Sequence, residues 1–171
     1  MHLKNIESSI TQKLVFICLS FVLTILLMTP ISILAPNQPF PDLLTCFIFA
    51  FFISNKLNVP ISGIFLVSLL ADFLWFRPLG LFTFFMVLGI ELIRWHLQTR
   101  NSISFLLEIT YFSLFFVIIS LCVSIVEFIM AIPTAHYSFS INFVIFTLLT
   151  YPATSVLVRF FHTQKRSKYE S

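Results

Sequence analysis

Six apolar stretches, separated by short polar or proline-containing segments, make up most of the chain. An α-helix rises ~1.5 Å per residue, so about 20 apolar residues cross a hydrocarbon core of ~30 Å. The first, fifth and sixth stretches reach that length. The pattern predicts an all-α, polytopic membrane protein with six transmembrane helices in a single domain covering residues 1–171. The six predicted spans are residues 14–35, 41–54, 61–76, 79–93, 105–132 and 139–158.

The second stretch is short, since only the run from Leu43 to Ser54 is continuously apolar. It fits a thinned bilayer, a helix that begins near Phe40, or a re-entrant segment. The distribution of Lys and Arg favours a full span. With six spans and a cytoplasmic N-terminus, nine of the ten basic residues lie inside and only Arg77 lies outside. Both termini are therefore predicted to be cytoplasmic. The nine are Lys4, Lys13, Lys56, Arg94, Arg100, Arg159, Lys165, Arg166 and Lys168.

The composition agrees with a membrane protein and excludes several soluble classes. Hydrophobic residues make up 58% of the chain, charged residues only 10%, and the mean hydropathy is +1.01. An ordinary globular domain is roughly 25% charged. A soluble domain of this size could not hide 23 phenylalanines. A soluble enzyme, a disordered tail and a nucleic-acid-binding module are thus excluded, and the net charge of +3 follows from the basic cytoplasmic segments.

Residue types that carry chemistry are few and scattered. The three cysteines lie inside apolar runs and form no CxxC pair, and the four histidines share no helix face. The chain contains no GxSxG or HExxH motif and no paired aspartates on facing helices. We therefore expect no metal, no cofactor and no enzymatic activity. Only three glycines occur, and they form no GxxxG face for close helix pairing.

Ionisable side chains at membrane depth are costly and each needs a partner or a role. Asp72 lies in the outer half of the third predicted span, and Glu127 lies near the outer end of the fifth. Arg77 follows at the outer end of the third span, Pro78 forces a turn there, and Gly80 starts the next helix. We predict that Asp72, Arg77 and Glu127 meet in one cluster in the outer leaflet.

A second set of charges lies towards the cytoplasmic side. Glu91 and Arg94 are three residues apart and share a helix face, so they can form an ion pair. Glu108 lies at the same depth. In one interpretation all these charges fix helix packing or contact a partner protein. In another, Asp72 or Glu127 binds a proton or an ion during transport, which would require an oligomer or partner subunits.

An ordered set of motifs in the first half of the chain resembles the MreD family of rod shape-determining proteins, in its alphaproteobacterial form. The resemblance covers about a third of the chain, over residues 41–51, 58–84 and 90–94. The chain departs from the family in its many phenylalanines and in having Lys56 where arginines are expected. The matching residues are Pro41 with Asp42, Val59 with Pro60, Leu69 to Asp72 with Arg77, Pro78 and Gly80, and Glu91 with Arg94.

The resemblance implies a non-enzymatic, multi-pass subunit of the bacterial inner membrane that helps to maintain cell shape. Such a subunit would bind an MreC-like bitopic protein and a RodA-type glycosyltransferase with its transpeptidase. It would contact MreB-like actin filaments indirectly, lie in membrane lipid and bind no nucleic acid. The family is also similar to the substrate-binding subunits of energy-coupling-factor vitamin transporters, and that is the alternative function. The candidate packing and partner-contact residues are Asp72, Arg77, Pro78, Gly80, Glu91, Arg94, Glu127, Pro41 and Asp42.

Overall fold

A computed structural model describes residues 14–25, 41–54, 59–74, 78–98, 103–130 and 141–170, with the side chains of the last segment described as far as Phe160. All regular structure in these segments is helical, which confirms the predicted all-α class. The six helices are α1 (Leu14–Ile25), α2 (Leu43–Ser54), α3 (Ile61–Leu74), α4 (Leu81–Leu97), α5 (Phe105–Ile129) and α6 (Ile141–Glu170).

Two of these helices are long and apolar enough to cross a membrane. They are α5, with 25 residues, and the first 20 residues of α6, over Ile141–Phe160. At ~1.5 Å per residue these segments measure about 37 Å and about 30 Å, which matches a hydrocarbon core of ~30 Å. The helices α1, α2 and α3 are apolar but shorter within the described residues.

The short helix α2 is the centre of the bundle. Nine of its 12 residues are buried, and they lie all round the helix rather than along one stripe. It packs along α6, and its aromatic side chains also contact α1 and α5 through Phe16 and Phe112. A helix that is apolar on every side is stable only when other elements enclose it. Its stability therefore depends on the helices that enclose it.

Apolar side chains cover the outside of the bundle, and polar side chains lie inside it. Every described helix except α2 exposes large hydrophobic residues. Four carboxylates, by contrast, are at most 9% exposed: Asp42, Asp72, Glu108 and Glu127. A soluble monomer rarely exposes large contiguous apolar surfaces, whereas a protein in lipid must place its polar groups in the interior. This distribution is typical of proteins whose outer surface faces lipid.

Two helix ends differ from the sequence-based prediction. The fourth predicted span ends at residue 93, but α4 continues to Leu97, whose side chain is buried in the core. The sixth predicted span ends at residue 158, but α6 continues as a helix to Glu170. Residues 26–35 of the first predicted span and the turn at 133–138 lie outside the described residues.

Single glycines allow close helix contacts although the chain has no GxxxG motif. A Cβ atom on Gly89 of α4 would lie 2.6 Å from the ring of Phe115 on α5, closer than any van der Waals contact. A Cβ on Gly63 of α3 would lie 3.3 Å from Ile17 of α1 and 3.1 Å from Pro60. The absence of a GxxxG motif therefore does not prevent a close helix contact at Gly89, where the ring fills the space that a side chain would need.

Gly89→Ala should lower the free energy of unfolding by about 1 kcal/mol, because overpacking costs about 1–3 kcal/mol and the better helix propensity of Ala offsets about 1 kcal/mol. Gly63→Ala is the matched control and should cost less than Gly89→Ala, since its methyl group meets side-chain atoms at 3.1–3.3 Å rather than at 2.6 Å. Both values can be measured by titrating the micelle-embedded protein with SDS. Equal effects at the two positions would contradict the close α4–α5 contact.

Candidate functional site

The first polar cluster surrounds Glu108 at the beginning of α5. Ser104 is the N-cap of this helix, and its Oγ accepts a hydrogen bond from the backbone N–H of Leu107 at 3.4 Å. Glu108 lies one turn further on and its side chain is fully buried. The positive end of the helix dipole favours a carboxylate in this first turn. The local sequence thus places a negative charge inside the bundle where its own helix partly stabilises it.

One face of α6 provides the partners of this carboxylate. The Tyr151 hydroxyl donates to Oε1 of Glu108 at 2.7 Å, and the Ser155 hydroxyl donates to the same oxygen at 2.5 Å. The guanidinium of Arg159 forms an ion pair with Oε2. The three donors are four residues apart, so they lie in a row along one side of the helix. The cluster therefore fixes both the rotation of α6 and its register against α5.

Aromatic packing connects this cluster to the central helix. The Tyr151 ring stacks on Phe112 of α5 with 3.8 Å between centroids, and it meets Phe49 of α2 edge-on at 5.8 Å. The Arg159 guanidinium lies over the Phe105 ring, 5.4 Å from its centroid. Aromatic and cation–π contacts of this kind each contribute about 0.5–1.5 kcal/mol beyond simple burial. The Glu108 cluster thus joins α2, α5 and α6.

The second cluster is formed by Asp72 and the beginning of α4. Oδ2 of Asp72 accepts hydrogen bonds from the backbone N–H of Gly80 and the backbone N–H of Thr83, both at 3.1 Å. It also accepts one from the Thr83 hydroxyl at 2.8 Å. Thr83 is the third residue of α4, whose backbone N–H would otherwise lack a helical partner. Asp72 from the preceding helix therefore performs the role of an N-cap side chain.

Gly80 explains why the cap comes from another helix. It occupies the N-cap position of α4 with φ of +84°, and it has no side chain to accept a hydrogen bond from Thr83. Glycine adopts this left-handed conformation at little cost, whereas an L side chain would be strained. Pro78 precedes it, and its carbonyl accepts from the N–H of Leu81 at 3.1 Å. The turn places the first N–H groups of α4 directly at the Asp72 carboxylate.

Asp42 caps the central helix and connects it to α6. Its Oδ1 accepts from the backbone N–H of Thr45 at 3.0 Å, which is the standard N-cap arrangement. Its own N–H donates to Oγ1 of Thr147 on α6 at 3.0 Å. The thiol of Cys46 lies 3.6 Å from the carbonyl oxygen of Thr147. The Pro41–Asp42 pair thus marks the point where α2 begins against α6.

Arg94, in the last turn of α4, contacts the segment before α3 and the last turn of α2. Its Nη2 donates to the carbonyl oxygen of Val59 at 3.1 Å, just before α3 begins, and its guanidinium lies 5.5 Å from the centroid of the Phe52 ring on α2. The Nε atom is 3.6 Å from Oε2 of Glu91, so the predicted pairing within α4 is present as an ion pair. Arg94 therefore binds the chain segment that leads into α3.

The predicted outer cluster is only partly described by the structure. Arg77 lies outside the described residues. The bonds described above place the Asp72 carboxylate at the N-terminus of α4, and Glu127 lies in the last turn of α5 with 9% of its surface exposed. Asp72 was correctly singled out as buried, but its prediction as a partner of Arg77 missed the backbone donors of Gly80 and Thr83.

The Glu108 cluster was largely missed, although α6 carried a signal for it. Tyr151, Ser155 and Arg159 are polar residues spaced by four along α6. That spacing places them on one face, and a buried carboxylate on another helix is the natural acceptor for such a row. Among the residues that the structure describes, no group of three or more His, Cys, Asp or Glu side chains has the arrangement of a metal site.

The arrangement of these clusters suits helix assembly. Asp42 and Asp72 accept hydrogen bonds from the first residues of a helix and fix its beginning, whereas Glu108 accepts from the middle of α6 and fixes its register against α5. Comparisons of the chain with protein-family models, with characterised proteins and with solved structures found no match.

Proposed function

We propose that the chain is a non-enzymatic, multi-pass subunit of the bacterial inner membrane, similar to MreD, which helps to assemble the machinery of lateral wall synthesis. Its partners in this proposal are an MreC-like bitopic protein and a RodA-type glycosyltransferase with its transpeptidase. MreB-like filaments are reached through these partners.

The observation that carries the proposal is that the residues of the resemblance bind one another in the fold. Asp72 accepts a hydrogen bond from Gly80, and Arg94 donates one to the carbonyl oxygen of Val59. These pairs are 8 and 35 residues apart in the sequence. Residues that are scattered along the chain thus form matched contacts at opposite ends of the bundle. This supports a shared fold with that family better than a chance similarity of short motifs.

The use of the buried carboxylates also supports an assembly role. The Glu108 carboxylate contacts three side chains of α6, and the Asp72 carboxylate holds the beginning of α4. Buried charges that are paired and hydrogen-bonded specify helix register and helix ends. A subunit whose role is to bind other membrane proteins needs a fixed helix arrangement, and these clusters provide one.

Six spans with both termini in the cytoplasm are the topology that we propose. The alternating direction of α4, α5 and α6 is supported by two contacts between helices. His96 near the end of α4 meets Tyr111 near the beginning of α5, and Glu108 near the beginning of α5 meets Arg159 far along α6. Arg94 and Arg159 therefore lie towards one end of the bundle, and α6 continues beyond that end with further basic residues. The positive-inside rule assigns this end to the cytoplasm.

Depletion of the protein should turn rod-shaped cells round and disperse sites of new wall synthesis, because the assembly would lose a membrane subunit. Fluorescent labelling of new peptidoglycan and measurement of cell width test this directly. A re-expressed wild-type copy is the control and should restore width. Cells that keep their width but lose uptake of a vitamin would contradict the proposal and favour a transporter subunit.

The topology predicts which positions an impermeant thiol reagent can reach from outside. In a background without Cys18, Cys46 and Cys122, a cysteine at position 98 or at the C-terminus should stay unlabelled in intact cells. Cysteines in segments 36–40 and 133–138 should be labelled, since the proposed orientation places both in the periplasm. Position 56 tests the short helix α2: external labelling there would contradict a full crossing by that segment.

A further inference from the structure

The outward side of α4 carries a seam of large side chains that its own bundle leaves exposed. We call this seam the α4 face; its residues are Phe84, Leu88, Glu91, Leu92 and Trp95. Four of these positions follow the spacing i, i+4, i+7 and i+11, which is the heptad spacing of helices that pair side by side. The other sides of α4 pack against α3 and α5. The α4 face therefore has the geometry to accept one further helix.

Glu91 is the unusual residue of the α4 face. Of the five acidic side chains that the structure describes, it is the one that faces outwards, with 52% of its side chain exposed, while the other four are at most 9% exposed. Its ion-pair partner is Arg94 on the same helix. The two charged atoms are 3.6 Å apart, beyond the usual hydrogen-bond range of about 2.7–3.2 Å, and Arg94 is turned inwards to Val59.

The position of Glu91 along α4 indicates what would cover it. It lies six residues before the end of the helix at Leu97, or ~9 Å at 1.5 Å per residue. A cation opposite this half-exposed carboxylate would stabilise its charge where it lies beside Leu88, Leu92 and Trp95. A helix that crosses the membrane once carries its Lys and Arg residues mainly at its cytoplasmic end. In the proposed orientation that is also the depth of Glu91.

We propose that the α4 face docks the single transmembrane helix of the bitopic partner, and that a Lys or Arg near the cytoplasmic end of that helix pairs with Glu91. The apolar side chains of the face fill the seam between the two helices, and the charge pair sets the register. This inference rests on the proposed function, since that function supplies a bitopic partner.

The docking site can be tested by crosslinking the full chain to its co-expressed MreC-like partner in the membrane. A photoreactive amino acid at position 88 or 92 should yield a crosslink to the transmembrane segment of the partner. Position 121 on α5 is the matched control, because Leu121 is 57% exposed and Leu92 is 59% exposed. Equal or stronger crosslinking from position 121 would place the partner on another face and overturn the inference.

A charge exchange tests the role of Glu91 itself. Glu91→Lys should reduce the amount of co-purified partner about tenfold, because two cations would then face each other in the interface. Replacing the juxtamembrane Lys or Arg of the partner by Glu should restore co-purification with the Glu91→Lys chain. A purely internal role of Glu91 would not be rescued by a change in the partner. Size-exclusion chromatography of each variant verifies that it stays folded.

The outcomes separate this inference from the proposed function. If the wild-type partner co-purifies but neither the crosslinks nor the charge exchange depend on the α4 face, the inference is wrong and the proposed function stands. If the MreC-like partner does not co-purify at all, the proposed function fails and the inference fails with it. Crosslinks from positions 88 and 92 to a second copy of the chain would overturn the inference and assign the face to self-association.

Discussion

Arg159→Ala should destabilise the protein more than any other single truncation of a polar side chain in the bundle. The substitution leaves the Glu108 carboxylate fully buried with two neutral donors and no cation. Removing one partner of a buried ion pair costs about 3–5 kcal/mol. Because the Arg159 side chain is itself 42% exposed, we expect a loss near the lower limit, about 3 kcal/mol. SDS titration in mixed micelles measures the change in the free energy of unfolding.

A second substitution at Glu108 should recover part of this loss. The amide oxygen of Glu108→Gln can still accept from Tyr151 and Ser155, and the neutral side chain no longer needs a cation. The double variant Glu108→Gln with Arg159→Ala should therefore be more stable than Arg159→Ala alone by about 1 kcal/mol or more. Thr110→Ala is the control, since its hydroxyl is exposed and bonds only within α5, to the carbonyl of Leu106. Additive single effects would contradict a coupled pair.

Long apolar segments were predictable because their length alone determines their structure. The predicted span 105–132 corresponds to α5, which is apolar over 25 residues and needs no partner to remain helical in lipid. The short helix α2 was ambiguous for the opposite reason. Its composition shows that every side must be covered, but not which elements cover it. Phe16, Phe112 and α6 do so, and these contacts are long-range in the sequence.

The candidate site was predictable only where its partners are side chains close in sequence. Glu91 and Arg94 were correctly paired from their spacing on one helix. The partners of Glu108 lie 43 to 51 residues away on α6, and only the folded bundle brings them together. For Asp72, the search for a basic side chain pointed to Arg77, whereas a helix N-terminus offers backbone N–H donors that no residue type reveals.

Asp72→Ala should cause the second largest loss of stability, and it should act through the beginning of α4. The substitution removes the acceptor for three donors at once, two of them backbone N–H groups of the turn and first residues of α4. Loss of a capping side chain costs about 0.5–2 kcal/mol, and hydrogen bonds to a charged group contribute about 1.5–3 kcal/mol. We expect a loss of about 2 kcal/mol. Relative to the wild-type protein, the substitution should speed hydrogen exchange at the amides of Gly80 and Thr83 more than at amides in the middle of α5.

Asp72→Asn distinguishes capping from proton or ion handling. The amide oxygen of Asn can accept from the N–H and hydroxyl of Thr83, while the interaction of the charge with the helix dipole, about 0.3–1 kcal/mol, is lost. Thr83→Val, which removes the 2.8 Å hydroxyl bond and keeps the backbone bond, should cost about 1 kcal/mol. Both variants should support rod shape and partner binding. A folded, partner-bound Asp72→Asn protein that fails to support growth as rods would show that the charge itself is used, and transport of a proton or an ion through the Asp72 cluster would replace the capping role.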